Sequence, residues 1–383
     1  MSATAKRSGT ADWWRSTDPV ALVAMLALIT LGLVLAFAAS PAATGGPMTE
    51  GDFRYAAKQI AFAGIAVMIL SVTSVLPLRT IKISATFIYI AAVIGSAIAL
   101  FAGHEAFGAK RSIELGLLTL QPSEFLKPSF AVLAAAVLAD NEKLIVRKEI
   151  AALIIAAPAL LILLKQPDVG QTALLLALWG ALLFFNGISI RWIGLLAGAS
   201  AGLAGIAYLL FPHVHHRIDQ YFDPHQIPYQ TGLALKAFAH GGLAGVGPGA
   251  GTVKYHLPEA HSDFIFAVAG EEFGVLLCGA IVILFCLLCV RLLLRSARMS
   301  DAFSKLAGAG LAVVVALQAF INMGVAVSLL PTKGMTLPFI SYGGSSLFAV
   351  ALTMGFALAV TRQRSKIGES DCDLFGFLRE ARA

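Results

Sequence analysis

Residues 20–39 read VALVAMLALITLGLVLAFAA, a run without one charged side chain. A helix of about 20 apolar residues matches the roughly 30 Å hydrocarbon core of a bilayer. In that medium backbone N–H and C=O groups find no water, so only helices or closed barrels cross it. Comparable runs recur as far as residue 360. The composition agrees, with 58% hydrophobic and 13% charged residues, where soluble domains are about half apolar and about a quarter charged. The sequence therefore predicts an all-α integral membrane protein.

A window of about 20 residues places ten transmembrane spans, at 19–39, 56–75, 81–102, 122–138, 150–164, 169–185, 192–211, 263–290, 306–329 and 338–360. The fifth and sixth are short, are joined by KQPDVGQ, and suit tilted or partly re-entrant helices. The ten-helix domain covers 19–361, between an N-terminal segment, 1–18, and a C-terminal tail, 362–383. Its largest connection, 212–262, joins the seventh and eighth spans. The first run is too long for a signal-peptide core and no cleavage site follows it, so it reads as a retained helix. Ten spans return both termini to one side. Most of the 28 lysines and arginines fall there, among them Arg79, Lys82, Arg147, Lys148, Arg291, Arg295 and Arg298. By the positive-inside rule that side is cytoplasmic and the 212–262 connection is extracytoplasmic.

Those cytoplasmic loops account for the net charge of +6, and no basic stripe interleaved with aromatics points to nucleic acid. Cys278, Cys286 and Cys289 share one apolar run and Cys372 lies in the tail, which reads as packing and not as a disulfide framework. Gly194, Gly198 and Gly202 recur at four in the seventh span and read as a close-packing stripe. Gln318 and Asn322, four apart on the ninth, suit interhelical hydrogen bonds.

Cations on the outer side need a reason of their own. Loop solvation accounts for Arg54, Lys58 and Lys236. Others, among them Lys110, Arg111, Lys127 and Lys333, fall in Pro/Gly-rich turns at helix mouths, where an anionic ligand would be held. The stretch HGGLAGVGPGAGTVKYHLPEAHSD (240–263) is rich in glycine, which permits tight turns and close backbone approach. Its GVGPGAG lacks the preceding strand, following helix and Gly-Lys-Ser/Thr ending of a phosphate loop. HVHH at 213–216 has no second ligand pair at metal spacing. Neither a nucleotide site nor a metal site is expected.

Asp263 opens the eighth span. A carboxylate there serves either as a cap facing the helix dipole or as a general base whose pKa rises at a partly desolvated boundary. Glu271 and Glu272 lie within the same span, where carboxylates are costly and mark function. Glu271 falls about 80° around the helix from Asp263 and Glu272 nearly opposite, so Glu271 is the expected partner in an outer cavity. The rise of about 12 Å between them exceeds the roughly 5–9.5 Å of two-carboxylate glycosidases, which disfavours a hydrolytic pair.

LPTKGMTLPFISYGGSS (330–346) precedes the tenth span on the same side as Asp263. Pro331 and Pro338 stiffen this turn around Lys333, and Ser341, Gly343 and Gly344 let the next helix pack closely. A preorganised cation beside a carboxylate suits an amphiphilic anionic substrate. The cation holds a phosphate while the carboxylate takes a proton.

NMGVAVSLLPTKGMTLPFISYGGSS (322–346) resembles the signature of the SEDS family (shape, elongation, division and sporulation), whose branches include FtsW and RodA. GAKRSIELGLLTLQPSEFLKP (108–128), KQPDVGQT (165–172) and LPEAHSDFIFAVAGEEFG (257–274) agree with it in family order across the chain. PTKG and the opening WWRSTDPVAL resemble the FtsW branch more than RodA. The resemblance implies a peptidoglycan glycosyltransferase of the bacterial inner membrane, at the division septum for the FtsW branch. Its substrate would be lipid II, a disaccharide-pentapeptide on undecaprenyl pyrophosphate. Asp263 matches the family's essential aspartate and would deprotonate the acceptor 4-hydroxyl, which attacks the anomeric carbon of the growing chain as pyrophosphate leaves. Lys333, Lys110, Arg111 and Lys127 would bind that diphosphate, with Glu124, Glu271, Ser341, Gly343 and Gly344 completing the substrate site. The only cofactor admitted is a divalent cation, Mg or Mn. The implied partners are a class B penicillin-binding protein, which supplies transpeptidation, and other divisome membrane proteins. The family commonly reads Arg-Arg-Trp where this chain has Lys110-Arg111-Ser112, so the charge is kept and the aromatic lost.

Two other functions stay open on the residues alone. A transporter of the lipid-linked precursor would place ionisable groups along a path across the membrane. Here they gather at the outer mouth, the intramembrane acids stop at Glu272, and no inverted repeat of broken helices is visible. A non-catalytic scaffold that recruits a synthase would leave Asp263 dispensable.

Overall fold

The computed structural model describes residues 13, 16–44, 53–106, 109–116, 118–140, 146–192, 228–331 and 334–362, with scattered positions from 194 to 209. Helix α1 (Pro19–Thr44) starts at Asp18, whose Oδ1 accepts the N–H of Val20 at 2.9 Å and of Ala21 at 3.1 Å. These are donors that a helix start leaves without partners, and Pro19 in the first helical position lacks an N–H that would need one. Then follow α2 (Arg54–Ser74), α3 (Leu78–Ala102), α4 (Ser123–Ala139), α5 (Lys148–Lys165), α6 (Val169–Phe185), α7 (Tyr229–Gly241), α8 (Ile265–Ala297), α9 (Ala302–Ala326) and α10 (Gly344–Val360). The other Asp18 oxygen takes Arg291 Nε at 2.7 Å and lies 3.4 Å from Arg295 Nη1, which ties the start of α1 to the end of α8.

Among the described residues, five helices are long and apolar enough to cross a membrane: α1 as far as Ala42, α2, α3, α8 and α9. The shorter α6 and α10 are apolar too. Large apolar side chains point outward from the bundle, as at Phe87, Leu276 and Ile283, a pattern suited to lipid and not to water. In α4 and α10 nearly every residue is buried, so these two helices, with α9, form the interior. The protein is a multi-pass membrane protein, in which helix association rests on close fit and hydrogen bonds because lipid is as apolar as leucine.

Gly32 illustrates that fit. A Cβ there would stand 2.4 Å from the Phe339 carbonyl oxygen and 2.9 Å from Ile340 Cα. Phe339 is buried and holds φ at 64°, a left-handed conformation that only surrounding structure can maintain at a non-glycine residue. Gly32→Ala is expected to push this turn away, destabilise the protein by about 1–3 kcal/mol and lower activity. Thermal unfolding in detergent, run beside an activity assay, checks both.

The structure corrects several expectations. The protein is mostly helical and not all-α. Between α3 and α4, strands β1 (His104–Ala106), β2 (Ala109–Leu115) and β3 (Leu118–Leu120) form an antiparallel sheet in the order β1-β2-β3. Ala106 pairs with Ala109 and Leu115 with Leu118. Gly116 supplies the positive φ, 66°, that a two-residue hairpin turn requires. A hydropathy window tuned to helices passes over strands this short.

The eighth span is broken. Gly274 takes φ 77° and ψ 178°, which separates a short half, 265–273, from the rest of α8. The backbone groups freed there find partners in the loop after α7. Val246 and Gly247 donate N–H to the carbonyls of Glu271 and Glu272 at 3.0 Å each, and Val275 and Leu276 donate to the carbonyls of Gly242 and Leu243. A break in a membrane helix persists only where protein supplies such partners.

The seventh span, 192–211, is helical at its described positions, and the remainder lies outside the described residues. Nothing lies within 4 Å of a Cβ built on Gly194, Gly198 or Gly202, so the expected close-packing stripe meets no described residue. Spacing at four shows that a helix face is flat and not that it has a neighbour. Of the 212–262 connection, 212–227 lie outside the described residues, while the rest holds α7 and a 3-10 turn, Val253–His256. The segments 1–18 and 362–383 lie almost wholly outside them.

Candidate active site

Asp263 sits two residues before α8. Three consecutive carbonyls around it are each held by a donor. Tyr342 N–H donates to His261 at 2.9 Å, Ser341 Oγ to Ser262 at 2.5 Å, and Asn322 Nδ2 to Asp263 at 2.8 Å. Asn322 Nδ2 also donates to the Met335 carbonyl at 2.6 Å, Leu337 N–H donates to Ser341 Oγ at 2.7 Å, and Gln59 Nε2 to the Ser341 carbonyl at 3.2 Å. Residues 261–263 and the turn 334–343 thus form one rigid unit. A Cβ on Gly334 would stand 3.0 Å from Asp263 Oδ2, so the backbone beside Lys333 lies against the carboxylate. Lys333 itself is outside the described residues.

The capping alternative for Asp263 is not used. The residue that caps α8 is Phe264, and no side chain accepts from the helix start. The carboxylate is half-exposed yet enclosed by protein. Burial pushes its pKa up to about 7, and the negative charges of Glu259 and Glu124 add to the shift. Burial also lowers the pKa of His261, partly offset by Glu259.

A ladder of buried polar groups lies next to this unit. Lys127 Nζ donates to Glu124 Oε2 at 2.7 Å and to Gln318 Oε1 at 2.9 Å. Gln171 Nε2 donates to Glu124 Oε1 at 2.6 Å, and Gln318 Nε2 to the Thr336 carbonyl at 3.1 Å. Thr336 Oγ1 in turn pairs with Ser346 Oγ. Lys127 is therefore not in a turn at a helix mouth. It lies inside α4, 3% exposed and facing α9. Two buried ions need this number of partners, because desolvation otherwise outweighs their attraction.

Arg111, on β2, donates through Nε to the Gln166 carbonyl at 3.2 Å and through Nη2 to that of Pro167 at 3.0 Å, with Nε 4.0 Å from Asp168 Oδ2. Asp168 caps α6 by accepting Gln171 N–H at 3.2 Å, so the sheet, the α5–α6 turn and Glu124 are linked. Lys110 is half-exposed on the same strand. Ser341 is buried, as is Gly344, the first residue of α10. Gly343 lies just before it, and a Cβ built there would meet Thr336 and Ser346 at ordinary contact distance.

Glu271 stands apart from Asp263's surroundings. It is fully buried. Its Oε1 accepts Thr252 N–H at 2.8 Å and Val253 N–H at 2.7 Å and lies 2.9 Å from His240 Nδ1, while Oε2 accepts Lys254 N–H at 2.9 Å. It holds the loop after α7 and does not face an outer cavity. Glu272 does parallel work: it accepts Gly249 N–H at 3.1 Å and pairs with the fully buried Lys254, whose Nζ also donates to the Ala38 carbonyl of α1 at 2.6 Å. Among the described residues no three His, Cys, Asp or Glu side chains converge to hold a metal ion.

Sequence reasoning read Gln318 and Asn322 as generic interhelical links and passed over Gly334. The available signal was two amides on one face of the helix that leads directly into the 330–346 turn.

The chain matches the FTSW_RODA_SPOVE family model, described as "Cell cycle protein", over residues 19–366. It is 42% identical over 354 residues to a "Probable peptidoglycan glycosyltransferase FtsW" of Caulobacter vibrioides (strain NA1000 / CB15N), covering 92% of this chain and 91% of that protein. A protein of the same description from Nitrosomonas europaea is 35% identical, covering 90% of this chain and 92% of its own. Among solved structures, a chain of a peptidoglycan synthase complex, described as coordinating polymerization and crosslinking, superposes with TM-score 0.76 at 27% identity, covering 91% and 98% of the two chains. The Thermus thermophilus rod shape determining protein RodA superposes with TM-score 0.68 at 25% identity, covering 92% and 99%.

Proposed function

This chain belongs to the FtsW/RodA/SpoVE family of cell cycle proteins and is a peptidoglycan glycosyltransferase, and we propose that it polymerises lipid II at the division septum with Asp263 as general base. One observation carries the assignment of the base. Asp263 is half-exposed and free of any capping duty, its backbone carbonyl is tied through Asn322 to the 334–343 turn, and burial raises its carboxyl to about 7.

In the proposed reaction Asp263 takes the proton from the acceptor 4-hydroxyl. The oxygen bonds to the anomeric carbon of the growing chain, and the bond from that carbon to the diphosphate breaks. Undecaprenyl diphosphate leaves with the electron pair. A positioned base of matched pKa is worth about 10²–10⁴-fold in rate. Lys333, Lys110 and Arg111 would neutralise the departing diphosphate, because positive charge near developing negative charge lowers the barrier. Lys127 and Glu124 act through Gln318, which holds the Thr336 carbonyl, and so position the turn. A divalent cation, Mg or Mn, would enter with the diphosphate, whose oxygens are its usual ligands.

We place both termini in the cytoplasm, following the bias of Lys and Arg, so that the site opens on the outer face of the inner membrane. The resemblance to a chain of a synthase complex supports a class B penicillin-binding protein as partner, with other divisome membrane proteins around it.

Purified protein in vesicles, given labelled lipid II with and without its class B partner, is expected to yield glycan strands. Their rate should rise with pH through about 7, because the deprotonated Asp263 is the active form and its fraction grows as pH passes its pKa. No strands under either condition would overturn the polymerase and leave the transporter and scaffold readings.

A further inference from the structure

Beside Asp263 stand three rings that the proposed reaction does not use. Tyr55, near the start of α2, lies 4.7 Å from His261 and 5.1 Å from Tyr342 between ring centroids, and His261 lies 5.4 Å from Tyr342. The planes are inclined at 48°, 80° and 53°, so the rings form a cup and not a flat stack. All three are half-exposed. Among the described residues no hydrogen bond engages either tyrosine hydroxyl or the His261 ring. Burial holds the Tyr342 phenol protonated and favours the neutral imidazole of His261.

The cup is fixed relative to Asp263. His261 is two residues away, its carbonyl takes Tyr342 N–H, and Gln59, one turn after Tyr55, holds the Ser341 carbonyl. The rings also face inward. At about 100° per residue, Tyr55 shares a face of α2 with Gln59, Phe62 and Ala66. The exposed Ile60 and Met68 lie about 140° away and Val72 about 100°. An aromatic belt at the lipid surface would share their face.

A pyranose offers C–H faces to aromatic rings and hydroxyl and acetamido groups to polar tips, which is what such rings present. We propose that Tyr55, His261 and Tyr342 form the seat of the acceptor's N-acetylated sugar, stacking it so that its 4-hydroxyl meets Asp263. This rests on the reading of Asp263 as the base.

The test titrates an N-acetylated peptidoglycan disaccharide, freed of lipid and peptide, into the full-length protein in nanodiscs. Binding is followed by saturation-transfer NMR and by the ring resonances of labelled tyrosine. Tyrosine signals are expected to shift in wild type. Tyr55→Leu and Tyr342→Leu are expected to lose the disaccharide and to raise KM for lipid II about five- to tenfold, while Tyr55→Phe and Tyr342→Phe keep most of both. Folded Leu variants that bind like wild type, or a wild type whose tyrosine signals do not move, would overturn the seat. Asp263→Asn separates the two claims: it should still bind disaccharide. If it also still polymerised, the base assignment would fail and the seat would stand.

Discussion

Asp263→Asn is expected to lose polymerisation by about 10²–10⁴-fold while melting no lower than wild type. The two results come from one cause. Burial and the charges of Glu259 and Glu124 raise the carboxyl to about 7, above its unfolded value. Between those two values the native state binds more protons than the unfolded chain, so this group makes stability fall as pH rises through that window. An amide of the same shape removes that penalty and the base together. Glycan yield from labelled lipid II gives the first quantity, and thermal melting in detergent at about pH 8 the second. A variant that melts well below wild type would show that the carboxylate serves the fold, and one that makes normal strands would show that it is dispensable.

The second large effect is expected at Lys254. Its ammonium and the Glu272 carboxylate are both fully buried, and Lys254 also bonds the Ala38 carbonyl. Lys254→Met strands an unpaired carboxylate at the break in α8, which costs about 3–5 kcal/mol. The paired change Lys254→Met with Glu272→Gln removes both charges and keeps an acceptor for Gly249 N–H. It is expected to recover most of the loss, short of about 1 kcal/mol for the hydrogen bond that Lys254 gives to the Ala38 carbonyl. Melting curves of the wild type, the single variant and the paired variant decide this. Equal losses in the two variants would mean that Lys254 acts through its packing and not its charge. Because the short half of α8 begins two residues after Asp263, polymerisation should fall and recover along with stability.

Much of the candidate site was legible before the fold. Asp263 stood out because a carboxylate at a span boundary is unusual, and 330–346 because two prolines around a lysine are unusual there. Glu271 stood out because a carboxylate inside a span is costly, and the helical wheel could not show that its carboxylate is taken up by backbone N–H groups of residues 252–254. Lys127 looked like an outer cation, since hydropathy does not reveal that Glu124 and Gln318 wait inside the bundle to pair with it.

Membrane insertion, the helical character and the clustering of chemistry at one end follow from the order of residues alone, because the cost of unpaired backbone and charge in lipid acts on each segment separately. The break at Gly274, the three clamped carbonyls of residues 261–263 and the ring cup beside them belong to the tertiary structure. Each needs partners from segments far apart in the chain: 242–247 across the break, Asn322, Ser341 and Tyr342 on the carbonyls, and Tyr55 against His261. Local pattern carries no record of such pairings, since each is decided by which buried donor or ring has no nearer partner once the helices have packed.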